Sequence, residues 1–290
     1  MAERLPAAAA GRFTFPGTSI SVNRMGYGAM QLAGPHVFGE PKDPEAARAV
    51  LREALALGVD HIDTSDYYGP FVTNRLIRET LHPYPEGLTI VTKVGAFRDD
   101  RGGWLPDLSD DFLRRSVEDN LERLGLDRMA IVNLRIVRPD DDIAAPMRAM
   151  RRLQDEGLVA HLGISTVNAG QLRIARDIAP IVCVQNEYNL VRRGDDALID
   201  ALAEEGIAYV PYFPLGGFSP LQDAELSRVA AEAGETPQGV ALAWLLQRSP
   251  NLLVIPGTSR RRHLRGNVAA AGLALSADHR RRLNGIASLR

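Results

Sequence analysis

The stretch Val59-Asp60-His61-Ile62-Asp63-Thr64-Ser65-Asp66-Tyr67-Tyr68-Gly69-Pro70 decides how the rest of the chain is read. An apolar-centred run ends in Asp63, and five positions later, just before a Gly-Pro break, comes Tyr68. A second run, Leu88-Thr89-Ile90-Val91-Thr92-Lys93-Val94-Gly95, carries a lysine near its end. In a parallel barrel the C-terminal ends of all strands open on one face, where active sites are built, so Asp63, Tyr68 and Lys93 could converge there. An ammonium beside a phenol is expected to lower the tyrosine pKa toward the working pH, while an aspartate keeps the lysine charged. A phenol so placed can act as a general acid toward a carbonyl oxygen. On spacing alone, the same residues could equally cap a loop, pack, and charge a strand end.

Outward from this stretch the chain alternates between strand and helix signals. Residues 13–22 alternate around Pro16-Gly17-Thr18, a hairpin able to close the bottom of a barrel. A strand is predicted over 24–30, where Gly26 and Gly28 allow close backbone approach. A helix opens at Pro44 and stops at Gly58. After the strand ending at Asp63 come a helix over 73–81, the strand ending at Lys93 and a long loop over 96–108 carrying Trp104. Ser109-Asp110-Asp111 then caps a helix running to Gly125. Strands over 129–137, 161–166, 181–188 and 208–211 alternate with helices over 144–156, 169–178 and 196–205. Helices over 222–233 and 236–248, an eighth strand over 252–255, and helices over 263–271 and 276–287 complete the chain. Such alternation predicts an α/β fold with a parallel sheet, and eight units of this size fit a closed (β/α)8 TIM barrel with an N-terminal β-hairpin and extra C-terminal helices. No GxGxxG follows the first strand, which weighs against a Rossmann site.

The 290 residues are 45% hydrophobic and 24% charged, which suits a single domain over 12–290 behind a flexible leader, 1–11. That leader is too short and too weakly apolar to be a secretory signal. Net charge is −2, without the concentrated basic surface that nucleic acid requires; the exceptions are Arg260-Arg261-Arg262 and Arg280-Arg281-Arg282. No apolar run approaches the ~18 residues of a membrane span. The lone cysteine, Cys183, excludes an intrachain disulfide and reads as a small core residue, so a cytoplasmic setting is expected. No metal site is expected.

Several pieces, taken in order, resemble the aldo-keto reductase superfamily over essentially the whole chain. They are Gly26-Tyr27-Gly28, Asp63-Thr64-Ser65 with Tyr68, Thr92-Lys93, Leu124-Gly125-Leu126-Asp127, Gly163-Ile164-Ser165, Gln185-Asn186-Glu187-Tyr188-Asn189, Pro214-Leu215-Gly216 and Ile255-Pro256-Gly257-Thr258. Within it, residues 26–35, 63–70, 132–135 and 209–220 look most like bacterial pyridoxal reductases, which reduce pyridoxal to pyridoxine with NADPH.

The resemblance implies an Asp, Tyr, Lys and His tetrad. Asp63, Tyr68 and Lys93 match three members, and the position of the histidine falls on Arg135, with Asn133 on the same strand face. A guanidinium is permanently charged and offers several donors, so Arg135 is expected to donate to a substrate oxygen or polar group with Asn133 supporting it; the alternative is that it pairs with a carboxylate such as Asp63. His61 lies one layer deeper and reads as a core histidine.

The resemblance also implies NADPH. Ser165, Thr166 and Gln185 match positions that hold the nicotinamide carboxamide, Thr166 replacing the more usual asparagine, and Tyr212 matches the aromatic that stacks on the nicotinamide ring. Phe213, Pro214, Leu215 and Gly216 would run along the pyrophosphate. Gly257, Thr258, Ser259, His263 and Asn267 fall where the family grips the adenosine 2′-phosphate and adenine, while Gly266 stands where a glutamate is common. Met30, Tyr67 and Trp104 are expected to line an apolar substrate pocket. The implied activity is reduction of a small-molecule aldehyde or ketone, pyridoxal or a similar aromatic aldehyde first. A ketoreductase of secondary metabolism and a non-catalytic NADPH-binding protein stay open as alternatives.

Overall fold

A computed structural model describes residues 5–138, 141–218 and 221–286. The first four leader residues, the end of the 209–220 stretch and the expected end of the last helix at 287 lie outside them. The strands are β1 (Arg12–Thr14), β2 (Ser21–Asn23), β3 (Tyr27–Gly28), β4 (His61–Asp63), β5 (Thr89–Val94), β6 (Ala96–Arg98), β7 (Trp104–Pro106), β8 (Met129–Arg135), β9 (Val159–Ser165), β10 (Ile181–Gln185) and β11 (Ala208–Tyr209). The helices are α1 (Pro44–Ala56), α2 (Val72–Leu81), α3 (Asp110–Leu124), α4 (Ala144–Asp155), α5 (Ala169–Ile178), α6 (Asp196–Glu204), α7 (Ala224–Ala233), α8 (Pro237–Arg248), α9 (Arg261–Ala269) and α10 (Ala277–Gly285).

Seven strands pair side by side in the order β11-β10-β9-β8-β5-β4-β3, each parallel to the next. The predicted eighth strand does not form a ladder. Residues 252–254 instead close the barrel through two single parallel bridges, Tyr209 to Leu252 and Met25 to Val254. Glycine makes this seam possible: a Cβ on Gly28 would lie 2.5 Å from the Ile255 carbonyl oxygen, and one on Gly257 2.7 Å from that of Gly28. Arg24 ties the seam together by donating to the carbonyls of Leu252, Leu246, Ser249 and Ala10. The strand predicted over 24–30 shortens to β3 because the chain turns into a 3-10 helix at Ala29–Leu32.

The β1/β2 hairpin lies across the bottom of the barrel, where Phe15 and Val22 pack with Val91, Ile131, Cys183 and Leu253. Part of the leader has regular structure. Pro6–Ala10 forms a 3-10 helix whose Ala7 is fully buried, with its N–H donating to the Leu57 carbonyl at 3.0 Å. The expected loop over 96–108 likewise has its own order, the β6/β7 hairpin. Its turn is held by the Asp99 carboxylate, which accepts from Arg101 N and Gly103 N, and by Gly102 at φ +77°. Outer helices begin as their sequences suggest. Asp43 caps α1 ahead of Pro44, and Asn168 with Gln171 forms a capping box on α5. Ser109 takes the cap position of α3, but its hydroxyl donates to Asp107 and accepts from no N–H of the helix.

The loop from β4 to α2 positions the top of the barrel, and Asp66 anchors it. Its buried carboxylate accepts from Ser116 on α3 at 2.6 Å and lies 3.3 Å from the Ser65 hydroxyl. No described arginine or lysine reaches it, and burial pushes its pKa up to about 6. Folding therefore takes up a proton between the ordinary value, 3.8, and about 6, so the penalty for burying ionised Asp66 is absent below that window, grows through it and is complete above it. Asp66→Asn is expected to raise unfolding free energy at pH 7.5, relative to its effect at pH 4, by on the order of 2 kcal/mol. Denaturant melts of both proteins across pH 4–8 check this; parallel curves would contradict it.

Candidate active site

Asp63 ends β4 and Lys93 lies near the end of the neighbouring β5, and the barrel interior brings both side chains together. Lys93 Nζ donates to Asp63 Oδ1 at 2.7 Å and to the Thr64 carbonyl at 2.8 Å, and both side chains are buried. From β10, Gln185 Nε2 donates to Asp63 Oδ2 at 2.8 Å. A carboxylate only accepts, so this contact fixes the amide orientation and leaves Gln185 Oε1 buried without a hydrogen-bond partner. Burial alone would lower the Lys93 pKa, but Asp63, followed by Tyr68 and Tyr67, outweighs it and raises the pKa.

Tyr68 stands above this pair, with Lys93 Nζ 5.1 Å from its ring centroid. The phenol is not acidified, contrary to the expectation from sequence. Burial is the largest influence on Tyr68 and pushes its pKa up to about 12, while the pull of Lys93 offsets only part of that. The Lys93 ammonium is itself balanced by Asp63, which weakens its hold on the phenolate.

These groups open into a cavity of about 340 Å³ at the C-terminal face of the strands. Of the residues singled out from sequence, Met30, Asp63, Tyr68, Lys93, Trp104, Arg135, Tyr212, Phe213, Pro214, Leu215 and Gly257 line it. So do Gly28, Gln31, Gly217, Phe218, Ile255 and Pro256, which the sequence reading did not assign to the site. Phe218, 62% exposed and following two glycines, is the one whose pattern could have flagged it.

Arg135, at the end of β8, faces this cavity, and its guanidinium carbon lies 5.8 Å from the Tyr212 ring centroid. Among the described residues no carboxylate is within ion-pair reach of it, so the alternative pairing with Asp63 does not occur. Burial works against its charge, but the phenols of Tyr67, Tyr68 and Tyr212 outweigh burial and raise its pKa. Tyr67 is close enough for this coupling, yet its hydroxyl is buried without the geometry of a formed hydrogen bond.

Two expected substrate contacts are displaced. Asn133 is fully buried one layer below the cavity, where its Oδ1 accepts from the Cys183 thiol at 3.1 Å and packs over Gly163. A Cβ on Gly163 would come within 2.0 Å of that oxygen, so the glycine makes room for the amide. Tyr67 does not line the cavity but backs its wall, edge-on to Tyr68 at 5.3 Å and to Trp104 at 5.5 Å. His61 is a core residue, buried against Phe15, and burial holds its pKa below the usual range.

The remaining positions extend from the cavity in two directions. Ser165, Thr166 and Gln185 sit at the ends of β9 and β10, outside the cavity lining, with the Ser165 and Thr166 hydroxyls 3.4 Å apart. On the other side the 212–217 turn places Phe213 at φ +53° and Gly216 at φ +92°, and Gly216 itself does not line the cavity. Beyond Gly257, buried Thr258 accepts from Arg260 N, and Ser259 and His263 are exposed at the start of α9, with Asn267 buried one turn on. Arg261 and Arg265 are both held by Glu53 of α1, whereas Arg260 and Arg262 are exposed with no ion pair among the described residues.

Residues 24–288 match the aldo/keto reductase family. The chain is 58% identical over 279 residues to pyridoxine 4-dehydrogenase of Escherichia coli (strain K12), covering 94% of this chain and 98% of that protein. A thermostable aldo-keto reductase, Tm1743, solved with the inhibitor epalrestat, superposes with a TM-score of 0.81 at 27% identity, covering 95% of this chain and 99% of that one. An aldo/keto reductase from Klebsiella pneumoniae, solved with NADP and acetate, has the same fold, with a TM-score of 0.78 at 22% identity over 94% of each chain. The chain belongs to the aldo/keto reductase family.

Proposed function

We propose that the protein reduces a carbonyl group with NADPH, and that its substrate is pyridoxal, giving pyridoxine, or a similar aromatic aldehyde. The observation that carries this is the buried Lys93–Asp63 pair set beneath Tyr68 in a largely apolar cavity. The name of the Escherichia coli relative supports the substrate. The cytoplasm, expected from the single cysteine, is the compartment that goes with this reading.

The residues present fit the cofactor. Gln185 Oε1 is an orphaned buried acceptor beside Asp63, suited to an amide N–H, with the Ser165 and Thr166 hydroxyls nearby. Tyr212 and the turn through Phe213, Pro214, Leu215 and Gly216 would hold the ring and pyrophosphate. Thr258, Ser259, His263, Asn267 and the guanidinium groups of Arg260 and Arg262, which have no ion pair among the described residues, would meet the adenosine end, where arginine recognises phosphate through its fork. When bound, the reduced nicotinamide supplies the hydride.

The chain itself handles the proton. With its pKa near 12, Tyr68 is fully protonated at neutral pH, the state a general acid needs, and its hydroxyl gives that proton to the carbonyl oxygen. Lys93 stabilises the phenolate left behind, a charge that exists only as the reaction proceeds, and Asp63 and Thr64 hold the ammonium in place. Arg135 faces the same cavity and takes the position of the family histidine as a donor toward the substrate. Met30 and Trp104 contribute apolar wall.

Tyr68→Phe is expected to lower kcat for an aromatic aldehyde by about 10²–10⁴-fold, with NADPH affinity kept within about threefold. Single-turnover NADPH oxidation and fluorescence titration measure the two quantities; oxidation at full speed would overturn the assignment. The ratio of kcat/KM for NADPH over NADH should exceed one and fall about tenfold or more in the Arg260→Ala/Arg262→Ala double variant, since each charge-assisted bond to phosphate contributes roughly 1.5–3 kcal/mol. A wild-type preference for NADH would contradict the cofactor assignment.

A further inference from the structure

Among the described residues, three charged side chains line the cavity: Asp63, Lys93 and Arg135. Asp63 is committed to Lys93 and Gln185, so its carboxylate balances the ammonium, and among the described residues no second carboxylate is paired with Arg135. This sets Arg135 apart from the other half-buried arginines of the chain. Arg193, Arg248 and Arg282 are paired with carboxylates, and Arg24 and Arg98 donate to backbone carbonyls. Among the described residues Arg135 has no carboxylate partner, and the phenols of Tyr67, Tyr68 and Tyr212 lie close to it. A half-buried guanidinium that faces a cavity without a carboxylate partner keeps donors of its fork free, so the site suits a ligand that brings the negative charge.

Resting on the carbonyl-reductase reading, we infer that Arg135 is a specificity-determining residue that selects carbonyl substrates carrying an anionic oxygen on the atom next to the carbonyl-bearing carbon. Arg135 and Tyr68 line the same cavity, and the Arg135 charge is felt at the Tyr68 phenol. The hydroxyl of Tyr68 meets the carbonyl oxygen, and the fork of Arg135 meets the adjacent oxyanion, so the two contacts read one edge of the substrate. An aromatic aldehyde with an ionised ortho hydroxyl has this shape.

The test is steady-state reduction of 2-hydroxybenzaldehyde, 4-hydroxybenzaldehyde and benzaldehyde with NADPH, above the pH at which the phenols ionise, in wild type, Arg135→Met and Arg135→Lys. The readout is the kcat/KM ratio of 2-hydroxybenzaldehyde to benzaldehyde within each protein, because intrinsic reactivity cancels between proteins. That ratio should fall at least about tenfold in Arg135→Met, as expected for loss of one charge-assisted hydrogen bond, and recover at least in part in Arg135→Lys. The ratio for the 4-hydroxy isomer should move by less. An unchanged ratio overturns the inference, including the case where Arg135→Met only raises KM for NADPH, which would move Arg135 to the cofactor. An equal fall for both isomers overturns the adjacent placement. If wild type reduces none of the three aldehydes, the carbonyl-reductase reading itself fails; if it reduces benzaldehyde with the ratio unmoved, only the role of Arg135 does.

Discussion

The buried ion pair between Lys93 and Asp63 is the constraint on which the rest of the site depends. Taking an ammonium and a carboxylate out of water is expensive, and the cost is met only where each charge finds its partner in good geometry and the remaining hydrogen-bonding capacity is used. The barrel provides that. Two neighbouring parallel strands set the 2.7 Å contact, the Thr64 carbonyl takes a second ammonium proton, and Gln185 reaches Asp63 from across the barrel. Removing one member would leave the other as an uncompensated buried charge, a loss of about 3–5 kcal/mol. The pair thus specifies the packing of the barrel top as well as its chemistry.

Around that pair the cavity wall is aromatic and cationic. Trp104 is sandwiched between Arg98, whose guanidinium carbon is 4.1 Å from its centroid, and the edges of Tyr67 and Tyr68. Arg98 in turn donates to the carbonyls of Val37, His36 and Gly102, so one guanidinium joins the β6/β7 hairpin to the loop after β3. The hairpin therefore holds an exposed tryptophan at a defined place over the cavity without needing a core of its own. On the opposite wall Phe213 packs against Tyr212 and Phe218 at 5.2 and 5.5 Å.

Much of this was legible from residue order. The strand and helix rhythm, the bottom hairpin and the convergence of Asp63, Tyr68 and Lys93 follow from periodicity, turn residues and the rule that parallel strands share a functional face. What was missed has a separate physical cause in each case. Asn133 shares a strand face with Arg135, and the two-residue period correctly put both inside the barrel, but depth along the barrel axis decides which one reaches the cavity. The eighth strand has strand-like composition, yet the close approach at Gly28 and Gly257 leaves only single bridges there. The 96–108 segment reads as a loop because its strands are three residues each and its turn is made by side-chain contacts of Asp99.

The sequence by itself determined the barrel class, the family and which residue types meet at the strand ends, since those depend on local spacing and on side-chain chemistry. Only the tertiary structure decided their electrical state. It set the Tyr68 phenol high rather than low, committed Asp63 to Lys93 and Gln185, and left Arg135 facing the cavity without a described carboxylate. Desolvation and charge pairing are sums over neighbours drawn from strands far apart in the chain, and no window of residues contains those sums.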